Sequence, residues 1–230
     1  MEAIILAGGL GRRLRPSVST VPKPLAPIRS RPFLEYLFDY LLTEGIRSIT
    51  VAVGYGADSI VNHFKSQYRG LTIQYSTETE PLGTGGALKQ ALRMVTSDRV
   101  FVINGDTFSQ VDYRRMASEF DEGSTSMAMA VTYLNDISRY GKVNIQSGVV
   151  CSFESGERGG GGHINTGVYL IPRNLLEHSE LPEKFSFERG FLAQKVRKLR
   201  PQAFFADGYF IDIGIPADYE RAQLELPEWE

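Results

Sequence analysis

Apolar positions in the first half of this chain recur in two alternating rhythms. Ala3-Ile4-Ile5-Leu6-Ala7 is an unbroken apolar run, short enough for a strand covered on both faces, as in a parallel sheet. Phe33, Leu34, Leu37, Phe38 and Leu41 then fall at helical spacing, and Gly45 supplies the stop. Residues 49–53 predict a second strand, 57–65 a helix and 71–75 a third strand. Ala87, Leu88, Ala91, Leu92 and Val95 form the stripe of the next helix, and residues 100–103 predict a fourth strand. This βαβαβαβ order implies an α/β protein with a doubly wound, mostly parallel sheet and right-handed crossovers.

After Asp106 the rhythm changes. Residues 127–133, 142–146, 149–153 and 164–171 read as strands joined by short loops, so a small mixed or antiparallel extension is expected. Helices are predicted over about 187–198 and 216–224. The four glycines at 159–162 read as a flexible hairpin tip rather than a phosphate loop, because no helix follows them. There is no internal repeat and no hexapeptide pattern. A length of 230 residues suits one domain spanning 1–230.

Bulk composition narrows the partners. Twenty-five cationic against 27 anionic side chains give a net charge of −2, which argues against a nucleic-acid surface. A single cysteine, Cys151, cannot form an internal disulfide and suits a reducing cytoplasm. No stretch approaches the roughly 18 apolar residues of a membrane span, and Met1-Glu2-Ala3-Ile4 lacks the basic start of a secretion signal. A cytoplasmic protein without a membrane partner is expected.

Charge is distributed unevenly. From Ala3 to Leu34 the chain carries six cations (Arg12, Arg13, Arg15, Lys23, Arg29, Arg31) and no carboxylate. Gly8, Gly9 and Gly11 follow the first strand, where ligands of doubly wound sheets bind, and open backbone N–H groups to a small polyanion. The spacing fits neither a P-loop nor a dinucleotide fingerprint: no Gly-Lys-Ser/Thr follows, and Leu14 stands where the third glycine belongs. What remains is a loop of about 20 residues, a length that is usually functional. Within it, Pro22 and Pro24 restrict the backbone around Lys23.

Leu6-Ala7-Gly8-Gly9-Leu10-Gly11-Arg12-Arg13-Leu14-Arg15-Pro16, followed by Pro22-Lys23-Pro24-Leu25-Ala26-Pro27-Ile28, resembles the signature of the sugar-1-phosphate nucleotidyltransferases. The resemblance continues through Glu80-Pro81-Leu82-Gly83-Thr84-Gly85-Gly86-Ala87, Asn104-Gly105-Asp106, Ile164-Asn165-Thr166-Gly167-Val168-Tyr169 and Phe210-Ile211-Asp212-Ile213-Gly214-Ile215-Pro216. It spans nearly the whole chain in the family's order. Within the family it is most similar to the short bacterial heptose-1-phosphate guanylyltransferase branch, with mannose-1-phosphate guanylyltransferases next. Arg12 departs from the signature, which usually has Thr there.

The resemblance implies a Rossmann-like nucleotidyltransferase fold, with a nucleotide part over about 1–110 and a sugar-phosphate part over about 111–230. Its substrates would be a nucleoside triphosphate and a sugar 1-phosphate. It implies catalytic roles for Arg13, Lys23 and Asp106, and a Mg²⁺ site shared by Asp106 and Asp212. Leu6, Ala7, Gly8, Gly9, Gly11, Arg12, Leu82, Gly83, Thr84 and Gly105 fall to the nucleotide. Glu78 and Glu80 can accept hydrogen bonds from guanine N1–H and its amine, which favours GTP. Asn165, Thr166 and Glu154 are implied on the sugar side. Relatives often carry Phe-x-Glu-Lys, whose lysine meets the sugar phosphate; Ser152-Phe153-Glu154-Ser155-Gly156-Glu157-Arg158 lacks it, leaving Arg158 or Lys142 to replace it. A metal-dependent glycosyltransferase and a non-enzymatic nucleotide-sugar regulatory subunit are the rival readings. A homodimer is compatible with the sequence.

Overall fold

The N-terminal apolar run becomes the centre of a ten-stranded sheet. In the computed structural model, residues 1–9, 21–120, 123, 125–155, 160–177 and 179–228 are described. The first half contains β1 (Glu2–Leu6), β2 (Pro27–Ile28), β3 (Arg31–Pro32), α1 (Phe33–Thr43), β4 (Ser48–Val53), α2 (Ala57–Phe64), β5 (Gln67–Tyr68), β6 (Leu71–Thr77), α3 (Gly83–Ala91) and β7 (Arg99–Asn104). The second half contains β8 (Thr107–Ser109), α4 (Tyr113–Glu119), β9 (Ala128–Leu134), β10 (Gly141–Gln146), β11 (Val149–Ser155), β12 (Gly162–Pro172), a π-helical turn (Phe187–Leu192), α5 (Ala193–Leu199), β13 (Gln202–Phe205), β14 (Phe210–Asp212) and α6 (Pro216–Glu225).

Strands run in the order β10-β11-β13-β9-β12-β7-β1-β4-β6-β5. β1 pairs in parallel with β4 and β7, and β4 with β6, as the first-half rhythm predicts. The expectation of a mostly parallel sheet is corrected by the rest. Within this sheet, among the described residues, four pairings are parallel (the fourth joins β9 and β13) and six are antiparallel. The cause is connection length. The two-residue turn at Ser147 and Gly148, both at positive φ, can join β10 to β11 only antiparallel. The glycine run is no hairpin tip either, since β11 and β12 are not neighbours; Gly160 accepts the Ile137 N–H instead.

Alternation along β1 explains the two-sided burial. Ala3 and Ile5 join α1, α2, α4 and α6 through Leu37, Phe38, Phe64, Met116 and Ala222. Ile4 faces the opposite layer, with Leu88 of α3, Phe187 and Phe191 of the π-turn, and Val196 of α5. Among the described residues no helix is long and apolar enough to cross a membrane.

One interlock sets the shape of the cleft. Gly83 has φ +71, and a Cβ there would lie 2.6 Å from the Phe185 carbonyl oxygen. A Cβ at Gly85 would overlap the Phe185 ring. Hydrogen bonds run both ways across the contact: Gly85 N–H to Phe185 O at 2.9 Å, and Phe185 N–H to Leu82 O at 3.0 Å. Gly85→Ala should destabilise by about 1–3 kcal/mol through overpacking, read as a thermal midpoint lowered by several degrees. An unchanged midpoint would mean that Phe185 yields freely.

Candidate active site

The cleft opens where β1 and β7 end. Its volume is about 600 Å³, and Leu6, Ala7, Gly8, Gly9, Gly105 and Asp106 form its floor. Gly105 donates its N–H to the Leu6 carbonyl at 2.9 Å, and a Cβ at Gly105 would lie 2.9 Å from that same oxygen. A side chain is therefore excluded and the two strand ends close together. Gly8 is constrained similarly, since its Cβ would lie 2.7 Å from Glu78 Oε1.

Lys23 reaches the cleft from a short 3₁₀ turn, Lys23–Leu25, entered by Pro22 in an extended conformation. Its side chain is only 9% exposed, and Nζ lies 2.5 Å from Asp106 Oδ2 and 3.5 Å from Asp212 Oδ1. Asp106 follows β7, and Asp212 ends β14. β14 pairs antiparallel with β8, bringing Asp212 opposite Thr107. The Ile213 N–H donates to the Asp106 carbonyl at 3.1 Å, and the Gly214 N–H to Asp212 Oδ1 at 2.7 Å. Burial raises the Asp212 pKa and the neighbouring Asp106 charge adds to the rise, while Lys23 and the Gly214 N–H oppose it. Two such carboxylates suit a hard divalent cation that completes its shell with phosphate oxygens and water. Among the described residues there is no group of three or more His, Cys, Asp or Glu that could hold a metal.

Glu78 also lines the cleft. Burial raises its pKa, opposed by a 2.8 Å hydrogen bond from the Leu82 N–H to Oε2. Gly83 and Thr84 line the same wall, whereas Glu80 is exposed and does not. Thr84 does not cap its own helix; its hydroxyl accepts the Phe187 N–H at 2.9 Å. That bond ties the Gly83–Thr84 wall to the π-turn.

On the other side, Asn165 Nδ2 donates to the Tyr169 hydroxyl at 2.6 Å and to Glu188 Oε1 at 3.3 Å. Glu188 itself lines the cleft. The Thr166 side chain points elsewhere: it is 1% exposed and its hydroxyl donates to the Ala130 carbonyl. Lys142 and Glu154 face each other across β10 and β11, and Glu154 accepts from Asn144 Nδ2 at 2.7 Å. Neither lines the cleft. Gly11, Arg12, Arg13 and Arg158 lie outside the described residues.

Asn104, Ser186 and Glu188 also line the cleft, although the sequence assigns them no role. Asn104 was visible in its Asn-Gly-Asp motif; Gly167, at φ +77, leaves room for the Asn104 side chain that a Cβ would occupy. Ser186 and Glu188 carried no signal, because they depend on a π-turn that apolar periodicity reads as ordinary helix.

The family model for nucleotidyl transferases matches residues 2–228, and the chain belongs to that family. Among its relatives, the D-glycero-alpha-D-manno-heptose 1-phosphate guanylyltransferase of Aneurinibacillus thermoaerophilus is 44% identical over 229 residues, covering 100% of both chains. The protein of the same name from Campylobacter jejuni is 44% identical over 220 residues, 95% of this chain and 97% of its own. The crystal structure of HddC from Yersinia pseudotuberculosis complexed with GMP-PN superposes with a TM-score of 0.86 at 35% identity, covering 98% of this chain and 99% of that one.

Glu78 generates a pH prediction. Its folded-state pKa lies above the unfolded value of about 4.5, so ionisation costs stability as pH rises through that window. Glu78→Gln keeps an acceptor for Leu82 and removes the charge. The variant should melt higher than the parent at pH 7, and the two should converge below about pH 4.5. Equal melting at pH 7 would contradict this electrostatic account.

Proposed function

We propose that this chain transfers GMP from GTP to a sugar 1-phosphate, D-glycero-α-D-manno-heptose 1-phosphate, giving GDP-heptose and pyrophosphate for surface polysaccharide synthesis. The observation that carries this reading is the meeting of Lys23, Asp106 and Asp212 at the floor of a glycine-lined cleft. Full-length identity of 44% to two proteins named for that reaction supports the choice of substrates. Glu78 supports guanine, because its carboxylate in the cleft matches two adjacent donors on that base. The nucleotide then occupies the part over about 1–110 and the sugar phosphate the part over about 111–230.

The sugar phosphate is ionised at neutral pH, so the reaction needs no general base. A phosphate oxygen attacks the α-phosphorus of GTP, a new P–O bond forms, and the bond to the β-phosphate bridging oxygen breaks. Pyrophosphate leaves with that electron pair. The barrier comes from bringing anions together, so positioning and charge neutralisation dominate. Lys23, held between two carboxylates, presents a fixed ammonium to the phosphates. Arg13 has the same role in this reading. Asp106 and Asp212 would hold Mg²⁺, which when bound neutralises phosphate charge and polarises the α-phosphate. In this reading Asn165 contacts sugar hydroxyls from beside Glu188, and the sugar phosphate extends beyond the cleft lining to reach Glu154 and Lys142 or Arg158. The protein works in the cytoplasm.

Mixing the protein with GTP, Mg²⁺ and heptose 1-phosphate should release pyrophosphate, faster than with ATP, CTP or UTP and faster than with mannose or glucose 1-phosphate. A glycosyltransferase or a regulatory subunit would release none, and another preferred pair would redirect the substrate assignment. Lys23→Ala should lower kcat by roughly 10²–10³, the scale of one preorganised charge. Near-normal turnover in that variant would remove Lys23 from the mechanism.

A further inference from the structure

The backbone between β2 and β3 is strained at two residues that do not line the cleft. Arg29 and Ser30 have φ of +46° and +75° and form the two-residue turn of a hairpin pairing Ile28 with Arg31. Such a turn normally takes Asn-Gly, because side chains clash at positive φ. Strain of this kind persists only where surrounding contacts over-determine it.

Those contacts come from Arg29 itself. Its N–H donates to Gln223 Oε1 at 2.8 Å, and Nε donates to the Gln223 carbonyl at 2.7 Å. Nη2 donates to the carbonyls of Leu224 at 3.1 Å and Leu226 at 2.8 Å, and Nη1 to Glu228 Oε1 at 2.8 Å. One guanidinium thus satisfies carbonyls that the end of α6 leaves without helical donors. The helix grips back, since the Tyr219 hydroxyl and Gln223 Nε2 both donate to the Pro27 carbonyl, at 2.6 and 2.9 Å.

This joint closes a circuit around the active site. Pro27 lies four residues beyond Lys23, and α6 begins four residues beyond Asp212. Near its start α6 is also anchored to the sugar-side part, where Asp218 accepts from Arg139. We propose that Arg29 is a positioning residue for nucleotidyl transfer: by fastening the Lys23 segment to the end of α6, it fixes the Lys23 ammonium relative to Asp212. This rests on the assignment of Lys23 and Asp212 to the reaction.

Arg29→Ala should lower kcat roughly tenfold, short of the hundredfold that a 1 Å misplacement can cost, while KM for GTP stays within about twofold. Arg29→Lys should fall between, because a compact ammonium cannot span acceptors that a planar fork reaches. Since Arg29 acts through Lys23, its substitution should cost less than about twofold in a Lys23→Ala background. Arg47→Ala is the control: that guanidinium also caps a helix, donating to the Leu42 carbonyl at 2.5 Å, and its loss should change stability but not kcat. If Arg29→Ala does not fold, Gln223→Ala removes two bonds of the same joint and should lower kcat in the same direction. Normal kcat in whichever of these variants folds, alongside an inactive Lys23→Ala, would refute the joint and leave the functional reading intact. Normal turnover in Lys23→Ala would overturn both.

Discussion

A single ammonium group placed between two carboxylates organises this molecule. Lys23 Nζ stands 2.5 Å from Asp106 and 3.5 Å from Asp212, and the three side chains arrive from three separate stretches of chain. A charge this far from water is tolerated only when it is paired, and a paired lysine in turn holds two acids that would otherwise repel each other. The upward displacement of the Asp212 pKa shows that repulsion and burial outweigh the compensation from Lys23 and the Gly214 N–H. The cluster therefore carries more negative than positive charge, an excess that a divalent cation would offset.

The scaffold supplies the geometry by unequal means. Parallel pairing of β1 with β4 and β7 aligns their carboxyl ends, and Gly105 lets the ends of β1 and β7 approach to backbone contact. The antiparallel half contributes through a different device, the short β8–β14 ribbon that lays Asp212 beside the residue following Asp106. Neither half could form the cluster alone.

Much of this was legible beforehand. Burial on two faces made β1, β4 and β7 continuous apolar runs, and the helical stripes of α1 and α3 were equally plain. Lys23 between two prolines in a carboxylate-free stretch points to anion chemistry, and the family resemblance implies a Mg²⁺ site at Asp106 and Asp212. What escaped had physical reasons. β8 and β14 are three residues each, too short for a period to register. β13 was missed as well, a four-residue segment between turns. The π-turn carries Phe187 and Phe191 at a helical interval, so its register was invisible while Glu188 depended on it. Thr166 illustrates the opposite error: a motif places it near the sugar, but strand alternation turns its hydroxyl into the core.

The interlock of Gly83–Gly86 with residues 183–187 has a bearing on how such a protein can diverge. Main chain meets main chain there with less than a methyl group between them. One wall of the cleft carries Gly83 and Thr84 and the other Ser186 and Glu188, so the two walls cannot vary independently. A substitution that reshapes the Gly83–Gly86 tract therefore also bears on the backbone that leads to Glu188. Change in β10 and β11, whose Lys142 and Glu154 lie outside the cleft lining, meets no such obstacle.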